Sequence, residues 1–384
     1  MLVARLTLCV LALIATVAHA ADKVAFAGFA YAGEARQIDS RFPLTRKVEA
    51  ELAANGRSPS KLITQSLTAN PPANFAITTD GMASLKDSDQ ALATALVVTS
   101  ESVSSERFGS IYKVMTNLRG QVLVFDFKAM TVVRAYPLNV SHLDVLDHMP
   151  GDAEKRERIK RLLAGGERPG LFDRYVRALS LAQLPSSGTR YLQIERVEVS
   201  PGARAQLPEA LRGDGVAEGW VADMFGEALL DKAQVPMLPF TKGYAIGNAM
   251  SMRFSDGEVF NLQLPKPDYT IDLSVKDFKR VEYGSSTAGT SYIYASYSHV
   301  SMAEPMSGRR YLDADFKNGE VKAVPVTQSR TDDFPAFAES LRGLFTKLAD
   351  VVGGKDSDWL AAAASGDNVK SQIESTRGVI KSCR

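Results

Sequence analysis

Cysteine is almost missing from this chain: two in 384 residues, Cys9 and Cys383. Cys9 lies in a segment that reads as a removable leader, which leaves Cys383 alone. One thiol cannot close an internal disulfide, so the fold must rest on packing. Cys383 remains as a free thiol near the C-terminus or as a candidate for an intermolecular disulfide. Histidine is scarce as well, at four residues. Charge of one sign is not in excess: 45 basic residues face 44 acidic ones, and no Lys/Arg block stands out. A nucleic-acid partner or an anionic membrane surface is therefore not indicated. Beyond the leader no run is long and apolar enough for a transmembrane helix. There is no G-x-S-x-G elbow. The segment Gly284-Ser285-Ser286-Thr287-Ala288-Gly289-Thr290 lacks the lysine of a phosphate-binding loop and reads as a hairpin tip. No cofactor is called for.

What is present begins with the leader. Arg5 supplies a positive start, Leu6 to Val17 is apolar apart from Thr7 and Thr16, and Ala18-His19-Ala20 has the form of a signal peptidase site. The expectation is an exported, periplasmic protein with residues 1–20 removed.

The remaining length predicts two domains with their own cores. A short pattern points to two related halves. Asp126-Phe127-Lys128 is followed by Val133-Arg134-Ala135-Tyr136-Pro137-Leu138. Asp315-Phe316-Lys317 is followed by Val321-Lys322-Ala323-Val324-Pro325-Val326. An internal repeat sets architecture before any single residue is interpreted. Each copy precedes a helix, starting at Phe172 and at Phe334. The expected division is a first domain over 21–184, a second over 185–352, and a tail over 353–384. The fold class is α/β (α+β), with each domain a mixed sheet carrying packed helices.

Local patterns fill in the elements. Val24 to Tyr31 alternates large and small apolar residues, as a tightly packed strand does. Pro43 to Ala53, 152–163, Phe172 to Leu181, Val216 to Ala233 and Phe334 to Val352 read as helices by spacing. Ile111 to Leu118 and Gln121 to Phe127 read as a hairpin turning at Arg119-Gly120. Strands are expected at Thr131 to Leu138, Tyr191 to Val199, Tyr269 to Val275, Tyr292 to Val300 and Tyr311 to Phe316. Asn318-Gly319 gives the signal of a tight primed turn. Residues 139–152 read as a linker, and the tail as loosely packed helices that dock or stay mobile.

The order of the second half resembles a family of periplasmic domains. It is the type seen in curli secretion channels, in lipoprotein activators of penicillin-binding proteins, and in the N-terminal domain of the Tol translocation protein. The resemblance rests on Val235-Pro236-Met237, Pro267-Asp268-Tyr269-Thr270-Ile271, Val275-Lys276-Asp277-Phe278 and Asn318-Gly319-Glu320-Val321. Where the family has Ala-Asp and Thr-Gly-Glu, this chain has Pro-Asp and Asn-Gly-Glu. It covers most of the second half and, more faintly, the first. It implies helices on a mixed sheet, used as a tandem pair to contact other envelope proteins. Neither pore-forming insertions nor a lipobox is evident.

Chemistry is thin. His142, Asp144, Asp147 and His148 offer nitrogen and oxygen ligands, yet their spacing matches no compact metal motif, and a solvated linker is the preferred reading. Tyr292, Tyr294, Tyr297 and His299 form an aromatic strand, with Tyr292 and Tyr294 on one face and Tyr297 on the other. These four are the candidate binding residues, set against ordinary strand propensity. A hydrolase triad around His299 would need a nucleophile on a sharp turn and an orienting acid; with no such elbow in the sequence, a strand histidine hydrogen-bonded to a neighbour is the preferred reading. The sequence thus points to a non-catalytic periplasmic protein that acts by protein–protein interaction in an envelope assembly. Docking would use a sheet edge or the loops at 284–290 and 139–152, and a homo-oligomer is among the arrangements considered. The alternative is a binder of a small or apolar ligand, which requires a large apolar cavity.

Overall fold

The computed structural model of the chain describes residues 23–33, 35–79, 92–184, 190–213, 215–240, 245–246, 249–254, 257–328, 332–355 and 358–384. The leader-like segment lies outside these residues, as do Asp80 and Gly81 of Thr79-Asp80-Gly81, whose residue types signal a turn.

The first half opens with β1 (Lys23–Ala32), then α1 (Ile38–Arg41), α2 (Pro43–Ala54), α3 (Pro59–Ala69) and the short β2 (Ala76–Thr78). A meander follows: β3 (Leu92–Phe108), β4 (Ile111–Asp126) and β5 (Thr131–Leu146), then α4 (Asp152–Ala164) and α5 (Leu171–Leu181). β1 runs parallel to β2 and β3, while β3, β4 and β5 are antiparallel. Proline opens α2 and α3, where its fixed φ suits the first turn and its missing N–H costs nothing. The N-cap of α2 is Phe42, which cannot cap. Glu101 of β3 does that work instead, accepting from the Leu44 and Thr45 backbone N–H groups at 2.8 Å each. The helices bury Phe29, Ile63, Leu96, Val122, Phe172 and Tyr175 against the sheet.

The second half runs β6 (Leu192–Val199), α6 (Pro201–Ala205) and α7 (Val216–Ala233), then β7 (Ala245–Ile246), β8 (Ala249–Phe254) and β9 (Val259–Gln263). A second meander is built from β10 (Tyr269–Ser286), β11 (Gly289–Glu304) and β12 (Arg309–Pro325). It is followed by α8 (Phe334–Val352), α9 (Trp359–Ala363), β13 (Ala364–Ser365) and α10 (Val369–Ser382). The second sheet has the order β13-β12-β11-β10-β6, with β6 parallel to β10. Both halves therefore share one connectivity. A first strand leads through helix to a parallel neighbour that begins a three-stranded antiparallel meander, and helices close the unit.

The matching sequence strings do not occupy matching places in that plan. Asp126 ends β4, where its Oδ1 accepts from the Lys128 and Ala129 N–H groups at 2.8 Å and shapes the turn into β5. Asp315 sits in the middle of β12, opposite His299. The common order is carried by topology, and the D-F-K likeness is not its trace.

Two turn readings are also corrected. Arg119-Gly120 lies inside the continuous β4. A Cβ on Gly120 would stand 2.9 Å from the Val97 carbonyl oxygen, so glycine serves close strand packing there. Asn318-Gly319 lies inside β12. The Asn318 side chain donates to the Ser340 carbonyl at 3.0 Å, tying the strand to α8. Much of the expected linker at 139–152 is strand, since β5 continues to Leu146. The tail docks: Trp359 stacks on Phe316 at 6.2 Å, and Ile373, Val379 and Ile380 join the second core.

The halves interlock. Strands β7, β8 and β9, although within 185–352, belong to the first sheet, whose order is β2-β1-β3-β4-β5-β9-β8-β7. β8 also pairs antiparallel with β1, through Ala30–Phe254, Tyr31–Arg253 and Ala32–Met252. At the other side β9 meets β5 at Thr131–Gln263. The sheet thereby curls into a ring around the small side chains of Ala25, Ala93 and Ala95, the flexible ones of Met250 and Met252, and the aromatic ring of Phe254. Next to this hairpin, α7 covers the same face. It is buried on nearly every side, through Ala217, Trp220, Val221, Met224, Phe225, Ala228 and Leu229. One side meets β5 and the other meets α8 and β6.

Candidate functional site

Two places combine polar groups with positions that the core does not demand: the outer face of the second sheet and the seam between the halves.

Strand alternation sets the first. On β10, β11 and β12, Leu273, Val300 and Ala314 point inward and are buried, while Lys276, Tyr297, His299, Asp313 and Asp315 point outward and are exposed or half-buried. His299 lies between two carboxylates. Its Nδ1 is 2.8 Å from Asp315 Oδ1, and its Nε2 is 3.0 Å from Asp313 Oδ1. Lys276 Nζ reaches Asp315 at 2.6 Å. Burial raises the Asp315 pKa, but the Lys276 and His299 hydrogen bonds outweigh it and hold the carboxyl below its usual range. Tyr297 lies under Lys279, with the ammonium 5.3 Å from the ring centre.

Further out, the meander becomes a projecting ribbon. Val281 pairs with Ile293, and Ile293 with Val321, in one cross-strand line. Val281 is 51% exposed, Val321 59%, and neighbouring Tyr283 70%. Contiguous apolar side chains on a soluble surface mark contact sites more often than scattered ones do.

The aromatic strand thus divides. Tyr297 and His299 belong to the outer face. Tyr292 and Tyr294 point inward, where Arg280 stacks 3.7 Å from the Tyr292 ring centre. Tyr294 Oη donates to Asp333 Oδ1 at 2.7 Å, and its ring meets Phe337 edge-on at 5.2 Å. Tyr294 is 1% exposed and serves the junction of strand and helix. The four candidates do not form one site.

The seam holds what sequence reading missed. Thr99 of β3 donates to Asp223 of α7 at 2.8 Å. Arg119 of β4, 2% exposed, faces Glu227 at 3.6 Å, and Arg342 of α8 shares that carboxylate at 3.7 Å. Burial pushes the Asp223 pKa up to about 6, against the pull of Arg119 and the Thr99 hydrogen bond. Burial and the Arg119 charge lower that of Arg342. A cavity of about 20 Å³ adjoins, lined by Gln121, Pro137, Asp223, Gly226 and Met237 among others, which is room for one water. The one signal in the sequence was the pair Asp223 and Glu227, acids four apart in the middle of a helix whose neighbouring positions are apolar.

The remaining candidates are structural in their surroundings. Asp144 bridges His142 at 2.8 Å and Arg158 at 2.7 Å. His148 lies between Asp147 and Glu154. Among the described residues no group of three or more His, Cys, Asp or Glu is placed to hold a metal. Cys383 is fully buried, and burial pushes its thiol up to about 11. A disulfide to another chain would require the end of α10 to unwind, where Arg384 donates to the Ala233 carbonyl at 2.8 Å.

No family model matches the chain, and no curated protein resembles it significantly. Solved structures overlap it in part. A Xanthomonas campestris protein of the DUF330 family shares 12% identity over 43% of this chain and 82% of its own, with a TM-score of 0.24. A minor lipoprotein from Acinetobacter baumannii shares 14% over 42% and 95%, with a TM-score of 0.23. The rare lipoprotein B from Shewanella oneidensis shares 12% over 42% and 95%, with a TM-score of 0.22. Superpositions this loose carry no argument about function. Among the described residues no helix is long and apolar enough to cross a membrane.

Proposed function

We propose that this chain is an exported, periplasmic, non-catalytic protein that acts by protein–protein interaction in a cell-envelope assembly, built from two related α/β units. The reading is carried by one observation: the projecting ribbon of β10, β11 and β12 presents Val281, Ile293 and Val321 in register beside the polar cluster of His299. An apolar line rimmed by charge is the composition of a contact surface. The leader supports export. A carrier of a lipid or other apolar ligand needs a pocket of some hundreds of Å³, whereas the seam cavity has about 20 Å³.

In-cell crosslinking of tagged protein, followed by mass spectrometry of captured proteins and lipids, tests this. The expected result is a reproducible envelope protein that is lost with Ile293→Lys or Val281→Lys and retained with a control substitution at Lys370. Capture unchanged by both face variants, or a bound lipid without a protein partner, overturns the reading.

A further inference from the structure

Among the described residues, the projecting part of β12 has a free edge. β13 pairs with β12 only at Asp315 and Phe316, so residues 317–325 bond to β11 on one side alone. The parity of that edge can be read from its neighbours. The Asp313 N–H donates to Gln372, and the Tyr311 carbonyl accepts from Thr376, both away from β11. Backbone groups alternate along an antiparallel strand, so Lys317, Gly319, Val321 and Ala323 turn their N–H and C=O groups outward. Pro325, which has no N–H to offer, lies at the end of this row. Side chains alternate too: Val321 stands on the outer face, with Glu320 and Lys322 on the inner face at either side of it.

We propose that the occupant of this edge is β12 of a second copy, added antiparallel about a two-fold axis through Val321. This places Glu320 opposite Lys322 of the other copy, twice, by symmetry. Val321 then meets its own counterpart, and the Val281–Ile293–Val321 line continues into the partner. Shifting the register by one step either way sets Glu320 against Glu320 or Lys322 against Lys322. Like charges directly opposite are unfavourable and opposite charges favourable, so the charge order itself selects the register at Val321. A two-fold contact of this kind closes on itself and does not propagate into a fibre. Within the chain, Lys322 already reaches Glu339 and Glu320 reaches Asn318, which holds both charges at the inner side of the edge. The inference concerns the strand edge and stands apart from the reading of the outer face.

Sedimentation velocity and light scattering of the protein purified from Ala21 onward test it. The wild type is expected to dimerise with rising concentration. Glu320→Lys and Lys322→Glu should each weaken the dimer roughly tenfold or more. The double exchange Glu320→Lys/Lys322→Glu should restore it, because the opposed pair is rebuilt with its signs reversed. Val321→Cys should give an oxidised dimer on a non-reducing gel, since hydrogen-bonded antiparallel partners lie at disulfide distance. A wild type that stays monomeric at its highest soluble concentration overturns the proposal. So does a dimer indifferent to the single charge reversals, or one that the double exchange fails to rescue. All these positions are on the strand's exposed end, so circular dichroism of each variant separates lost pairing from lost fold.

Discussion

Asp223 sits where the two halves meet, and its proton reports on that junction. In an unfolded chain this carboxyl titrates near 4; in the fold it is pushed up to about 6. The groups around it are Thr99 from β3, Arg119 from β4, Glu227 from α7 and Arg41 after β1. Between those two values the folded state keeps a proton that the unfolded state has released. The stability that the neutral carboxyl supplies is therefore complete below about pH 4 and is lost as pH rises through about 6. Asp223→Asn removes this titration and keeps an acceptor for Thr99. Relative to wild type the variant should gain stability from pH 4 to pH 6, by up to about 3 kcal/mol, and then level off. Urea unfolding at four pH values across this range checks it. A difference that does not vary with pH would mean that Asp223 ionises as freely folded as unfolded.

Elements were legible where their signal was local. Val216–Ala233 and Phe334–Val352 could be read to the residue, because apolar spacing, a proline near the start of the second, and breaking residues after each all agree. Strand ends were not. Arg119-Gly120 and Asn318-Gly319 carry turn chemistry in isolation, but long cross-strand ladders override it once both neighbours are present. Gly120 is the clearest instance, since what fixes it is a carbonyl more than twenty positions earlier in the chain. Gly120→Ala should cost about 2 kcal/mol, because the Val97 oxygen is backbone and cannot turn aside. Thermal melting checks this, and a neutral result would show that β3 and β4 can spread. The seam was illegible for the same reason at longer range. Thr99, Arg119, Asp223 and Arg342 come from four elements, and no spacing rule joins them. The outer face was half legible: alternation placed Tyr297 opposite Tyr292 and Tyr294, but the partners of His299 needed the β11–β12 register.

At the scale of the molecule, the second half lends the first a hairpin and a helix. A fragment ending at Leu184 loses both. Leu123, Phe125 and Val132, buried in the ring, would face water. That fragment is expected to aggregate or to bind a hydrophobic dye without a cooperative melt, as exposed apolar patches dictate. Fluorescence titration and a circular dichroism melt decide it; a sharp transition would show that 21–184 is an autonomous folding unit.

The pairing of Tyr31 with Arg253 also sets a clock. During synthesis, at about 5–20 residues per second, β1 emerges on the order of tens of seconds before β8 exists to pair with it. Through that interval the N-terminal strand has an open side, and the contacts that will close it are among the most distant in the chain. Such contacts are slow to form. Whatever attends the nascent polypeptide must keep that side from finding a wrong neighbour, and a pause in translation placed before residue 249 would lengthen the exposure while one placed after residue 263 would not.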